Sequence, residues 1–83
     1  MNEVVEFTEA LVKGLVKNPD IVKAQAFKDE DGIVMIEIIV HNEDMGTVIG
    51  KNGNMAKAIR TLVNAAAYKQ KLNKIRVNID SIE

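Results

Sequence analysis

The chain has no cysteine and no tryptophan, and among its 83 residues there are one histidine, one proline, one tyrosine and two phenylalanines. Each shortage excludes something. Without cysteine there is neither a disulfide framework nor a thiolate metal site, which fits a reducing compartment. The single histidine, His41, offers no second imidazole for a metal and no thiol to activate as a nucleophile. Aromatic residues make up 4% of the chain, too few for a platform on which bases stack. No run approaches the roughly 18 to 20 apolar residues of a membrane span, and Met1 to Glu9 carries acidic residues instead of a signal-peptide core. The expectation is a soluble, cytoplasmic protein that is no enzyme, uses no cofactor or metal and does not enter a membrane.

What is present is a hydrophobic content of 47%. That suffices for one small core, and the chain is too short for two, so a single domain over residues 1–83 is expected. The net charge of −1 hides a split: residues 1–49 hold 4 Lys and 10 Asp or Glu, a net −6, while residues 50–83 hold 7 Lys or Arg and 2 acids, a net +5. Such asymmetry suits an anionic partner approached from one side, although two solvated faces would produce the same split.

Val4, Phe7, Leu11 and Leu15, with Val5, Val12 and Val16 beside them, recur at helical spacing and predict an amphipathic helix over residues 3–17. Asn18-Pro19-Asp20 stops it. Two strand-like runs follow, Ile21 to Lys28 and Ile33 to Val40, joined by Asp29-Glu30-Asp31-Gly32, a hairpin signal. The acidic trio lacks the alternating oxygen ligands and closing glutamate of a calcium loop and reads as solvated turn chemistry. Asn42, Glu43 and Asp44 are suited to capping a short helix that ends near Ile49. Asn54 is expected to cap a second helix from Met55 to about Gln70, with Ala56, Ile59, Leu62, Val63 and Ala66 toward a sheet and Lys57, Arg60 and Lys69 outside. Ile75, Val77 and Ile79 then alternate with Lys74, Arg76, Asn78 and Asp80 as a half-buried strand.

The segment with chemical meaning is Val48-Ile49-Gly50-Lys51-Asn52-Gly53. Two glycines three apart let the chain turn with no Cβ in the way, so a sugar-phosphate backbone can approach the main chain. Lys51 adds positive charge, and Asn52 tolerates the left-handed conformation. The neighbouring Gly46 to Lys51 is no phosphate-binding P-loop. It has three residues between glycines where four are needed, Asn52 where Ser or Thr should follow the lysine, and a helix in place of the preceding strand. Val48 and Ile49 fit either the floor of a base-contacting groove or the core.

The order helix, strand, strand, helix, GxxG, helix, strand resembles the type II KH domain, and VIGKNGNMAKAI matches that family's pattern of an apolar pair, the loop and apolar residues at helical spacing. With Glu43-Asp44-Met45-Gly46 before the loop and Lys57-Ala58-Ile59-Arg60-Thr61-Leu62 after it, the chain is most similar to the KhpA family of small bacterial RNA-binding proteins. The resemblance implies an α+β fold of order α-β-β-α-α-β, with three helices on one face of a three-stranded sheet. It also implies a cytoplasmic RNA chaperone or post-transcriptional regulator that clamps single-stranded RNA by the GxxG loop. Its partner would be itself or a KhpB-like KH protein, in homodimers or heterodimers, and its context the control of cell shape, cell wall biogenesis and envelope growth. By that likeness the RNA contacts are Gly50, Lys51, Asn52, Gly53, Asn54, Lys57, Arg60, Lys74 and Arg76, with Lys69 and Lys71 as further outer charges. Positions 47 and 54, often basic in such sequences, are Thr47 and Asn54. A different class of function stays open: a dimerisation or scaffold module, for which the residues 55–68 are apolar around much of a helix, with Ala58, Val63, Ala65, Ala67 and Tyr68.

Overall fold

The structure, a computed structural model, describes residues 2–72 and 75–82. Its elements run α1 (Asn2–Lys13), β1 (Lys23–Lys28), β2 (Val34–His41), α2 (Met45–Ile49), α3 (Asn54–Lys69) and β3 (Ile75–Ile82), with single 3-10 turns at Pro19–Ile21, Asn42–Asp44 and Lys51–Gly53. β2 is the central strand, antiparallel to β1 and parallel to β3. The antiparallel step needs only a tight turn. Asp29 closes it, its Oδ1 accepting the amides of Asp31 and Ile33 at 2.9 Å each, while Gly32 takes φ 82°. The parallel step needs a crossover, and α2 and α3 form it.

Alternation along β2 places Val34, Ile36, Ile38 and Val40 on one face, all buried. Val4 and Val12 of α1, Val48 of α2, Ile59, Val63 and Ala67 of α3 and Val77 of β3 complete the same core. All three helices therefore cover one side of the sheet, the α+β arrangement expected. Full burial of a side chain such as Ile36 or Ile38 contributes about 1.5–3 kcal/mol.

The buried line of α1 differs from the expected stripe. Val4, Thr8 and Val12, four apart, face the core, while Phe7 is 41% exposed. Thr8 is tolerated there because its hydroxyl donates to the Val4 carbonyl at 2.7 Å. The helix also ends at Lys13 instead of continuing to residue 17. Gly14 is a poor helix former, and the amides of Lys17 and Asn18 are taken by the carboxylate of Asp44, each at 3.0 Å.

Asp44 thus does not cap α2, as its position suggests; its side chain makes no bond to that helix. It also accepts from the Asn18 side chain at 3.1 Å and is 1% exposed, tying the end of α1 to the start of α2 across 26 residues of chain. Burial pushes its carboxyl pKa up. The Lys17 amide, the Asn18 side chain and amide and the nearby His41 outweigh that and hold it below the usual aspartate value. Glu9 is shifted the same way, first by the Ala24 amide, which it accepts at 3.1 Å on the outer edge of β1, and then by Lys13. For both groups the folded pKa lies below the unfolded one, so their stabilisation is complete above the unfolded value, near 4, declines below it and is lost as pH falls through the folded value. Thermal melts from pH 7 to pH 3 should show a falling midpoint. Asp44→Asn should melt lower at pH 7 and with a flatter acid limb; a variant that melts like wild type at pH 7 would remove the carboxylate clamp from the account.

Candidate nucleic-acid interface

Gly50 ends α2 with φ 74° and ψ 175°, a combination open essentially to glycine alone. A Cβ at this position would lie 2.6 Å from the Cβ of Met55 and 2.8 Å from its nitrogen. Conformation and space thus both require glycine. Gly53 also has positive φ, 75°, but a Cβ there would meet nothing within 4 Å. Between them Asn52 sits in the left-handed region at φ 57° and ψ 24°, the conformation anticipated for it. The Gly53 amide donates to the Gly50 carbonyl at 3.2 Å, and the Asn54 amide to the Lys51 carbonyl, which folds the loop into one tight turn.

That folding changes how α3 begins. The helix starts at Asn54 after a left-handed Gly53, with no side-chain cap. Asn54 is therefore an exposed first helical residue and not the cap that its type suggests. The amides of Gly53 and Asn54 are thus used inside the turn. Beneath it Val48 is fully buried, so that residue belongs to the core, whereas Ile49 is 40% exposed and remains available as groove surface.

The expected contacts fall into groups. Lys51, Asn52, Asn54 and Lys57 are exposed together at the loop and the first turn of α3. Arg60 lies about 9 Å further along the helix axis, and its Nε donates to the Val77 carbonyl at 3.4 Å. Lys69 is at the far end of α3, about 22 Å from the loop along the axis. Lys71 follows it with φ 65°. Leu72 and Lys71 donate their amides to the carbonyls of Ala67 and Tyr68 at 2.9 Å each, a Schellman end in which glycine is the usual residue at position 71. Arg76 pairs in register with Met35 and shares its side of the sheet, opposite to the helices. Lys74 lies outside the described residues. The loop group and Arg60 form one track, and Arg76 is not part of it.

α3 also departs from expectation on its other faces. Leu62, assigned to the sheet, is 46% exposed, whereas Val63, assigned to the same side, is fully buried as expected; Ala67, and not Ala66, takes the next inward position. Ala58 and Ala65 are exposed, and Tyr68 is 77% exposed. His41, at the end of β2, accepts the Glu43 amide on Nδ1 at 3.0 Å and is held as part of the turn before α2. Among the described residues no group of three or more His, Cys, Asp or Glu is placed to hold a metal ion, and no helix is long and apolar enough to cross a membrane.

Comparison with known proteins agrees with this geometry. The family model described as KhpA/KhpB, KH domain, matches residues 5–79. The protein named RNA-binding protein KhpA from Caldanaerobacter subterraneus subsp. tengcongensis is 50% identical over 66 residues, covering 80% of this chain and 87% of that one. Its namesake from Halalkalibacterium halodurans is 45% identical over 75 residues, covering 90% and 93%. Among solved structures, the crystal structure of Era in complex with MgGDPNP and nucleotides 1506-1542 of 16S ribosomal RNA superposes with a TM-score of 0.64 at 17% identity, over 95% of this chain and 30% of that one. The likeness to Era is one of fold, and this chain spans under a third of that protein.

The two glycines should respond differently to substitution. Gly50→Ala should lower unfolding free energy by about 1–3 kcal/mol from backbone strain, with the Met55 contact adding to it. Gly53→Asn, in a conformation asparagine accepts, should change it by less than about 1 kcal/mol. Urea midpoints of both variants measure this; equal losses would show that the close approach to Met55 carries no weight.

Proposed function

Because this chain belongs to the KhpA/KhpB family of KH domains, we propose that it binds single-stranded RNA, clamping the sugar-phosphate backbone with the Gly50–Gly53 loop. The observation that carries this reading is the loop itself: glycine is required at Gly50 by conformation and by contact, and the turn so formed leaves Lys51 and Asn52 exposed. Backbone clamping of about four nucleotides is how a KH loop works. The cations of the track, Lys51, Lys57 and Arg60, supply the sequence-independent attraction. The chain is a binding domain and not an enzyme.

The proposal extends to a cytoplasmic role as an RNA chaperone or post-transcriptional regulator, beside a KhpB-like KH protein in the control of cell shape and envelope growth. It includes self-association or pairing through α3. Support for pairing comes from the outer face of that helix, where Ala58, Leu62 and Ala65 recur at helical spacing and remain exposed. An adjoining shallow groove against α1 is lined by Phe7, Ala66 and Lys69. Small residues let a second helix approach closely, and an apolar stripe on so small a domain marks a contact surface. If assembly were the principal task, RNA affinity would depend on the partner.

Lys51→Asp combined with Asn52→Asp should abolish binding to single-stranded RNA in gel-shift titrations while leaving the circular dichroism spectrum unchanged, because both glycines stay and only the charge reverses. For the wild type, log affinity should fall linearly with log salt with a slope of roughly −2 to −3, three or four neutralised phosphates on a single strand. Undiminished binding by the double variant would take the loop out of the site.

A second expectation concerns assembly. Ala65→Glu would place an unpaired charge in a helix–helix contact and should weaken self-association by about 3 kcal/mol, more than a hundredfold. Light scattering across a concentration series checks it. A wild-type chain that stays monomeric throughout, alone and with a KhpB-like protein, would defeat the pairing; a dimer indifferent to the substitution would move the interface elsewhere.

A further inference from the structure

β3 is an edge strand, with β2 on one side and no described strand on the other. In a β-strand the amide and carbonyl of one residue point to the same side, and the side alternates along the chain. The Val77 carbonyl is reached by a side chain from outside the ladder, so Val77 belongs to the set whose backbone groups face the open edge. Such an edge offers acceptors as well as donors to whatever lies along it. Arg60 alters that offer. Its Nε–H occupies the Val77 carbonyl, and the four N–H bonds on its two terminal nitrogens remain beyond it. At this point an acceptor has been covered and replaced by a fork of donors.

Arg60 stands about 9 Å along α3 from the loop, between the clamp and the lysines at the helix end. A strand whose backbone the loop holds and that continues along α3 would bring its bases beside this guanidinium. We propose that Arg60 is a specificity-determining residue that selects bases presenting carbonyl acceptors, guanine through O6 and N7 and uracil through O4, over adenine and cytosine, which present amino donors at the corresponding edge. An arginine fork matches two acceptors and has nothing to accept an amino hydrogen. The covered Val77 carbonyl is the acceptor that would otherwise have served adenine or cytosine. This inference rests on the reading of the loop as an RNA clamp.

The test uses two RNA octamers, (GU)4 and (AC)4, equal in length, charge and purine–pyrimidine alternation, so that the backbone contribution is common to both. Fluorescence anisotropy of the full chain should give about tenfold tighter binding to (GU)4, the low end of one bidentate base contact. Arg60→Lys keeps the charge and loses the fork; it should bind both octamers with similar affinity. Arg60→Ala uncovers the Val77 carbonyl and should shift the ratio further toward (AC)4. The ratio is the readout, since a residue that only supports the fold would weaken both octamers together. Equal wild-type affinities, or a preference for (GU)4 that survives in Arg60→Lys, would overturn the assignment while leaving the clamp in place. Failure of the wild type to bind either octamer would overturn the clamp and this inference with it.

Discussion

The constraint on which the rest depends is the absence of a side chain at position 50. α2 and α3 meet there with so little room that a Cβ would stand 2.6 Å from that of Met55. Their junction can therefore be short, and a short junction keeps Lys51 and Asn52 outside while Val48, two residues earlier, is fully buried. The glycine at position 53 has a different task, since it supplies only the positive φ that lets α3 begin immediately. One glycine permits contact and the other permits a turn, a distinction invisible in the tetrapeptide.

A loop of this kind is useful only if its base is rigid, and the rigidity comes from the acidic half of the chain. Asp44 receives three hydrogen bonds from Lys17 and Asn18 and so holds the end of α1 against the start of α2. Glu9 covers an amide on the open edge of β1, and Asp29 closes the hairpin turn. Three acids that a charge count sets against the cations are thus engaged with backbone amides. The carboxylates that hold the fold together lie in the acidic half of the sequence, and the exposed cations of the loop and α3 lie in the other.

Element type and order were legible wherever the signal was local. A strand-like run identified β2, alternation identified β3, the Asp-Gly turn identified the hairpin, and the glycine spacing identified the loop; for each, the cause lies within a few residues of the effect. What was not legible depends on partners distant in sequence. The end of α1 moved from residue 17 to Lys13 because Asp44 captures amides that a longer helix would have used. Leu62 turned outward and Ala67 inward because helical spacing gives the width of a stripe but not its direction, and α1 on one side of α3 and α2 on the other decide that. Arg76 was grouped with the other cations by family likeness, yet strand alternation turns it to the far side of the sheet. Its register with Met35, known only once the parallel pairing is known, would have been needed to separate it.

Net charge is a poor guide to what this surface attracts. The acidic turn Asp29-Glu30-Asp31 precedes β2, and the eight residues of that strand hold it about 23 Å from His41, where the segment leading to the loop begins. The screening length at physiological ionic strength is about 8 Å. Exposed charges separated by nearly three such lengths barely interact, and the turn neither repels a phosphate at Gly50 nor neutralises Lys51. Around the loop Lys51 and Lys57 have no further cations beside them at positions 47 and 54, for Thr47 and Asn54 are exposed and neutral. If the loop clamps RNA as proposed, a site with few cations would derive more of its grip from shape and from hydrogen bonds of fixed direction, which salt screens less. The tight approach permitted by Gly50 and the guanidinium of Arg60, anchored on the Val77 carbonyl, are the two features of this track suited to that need.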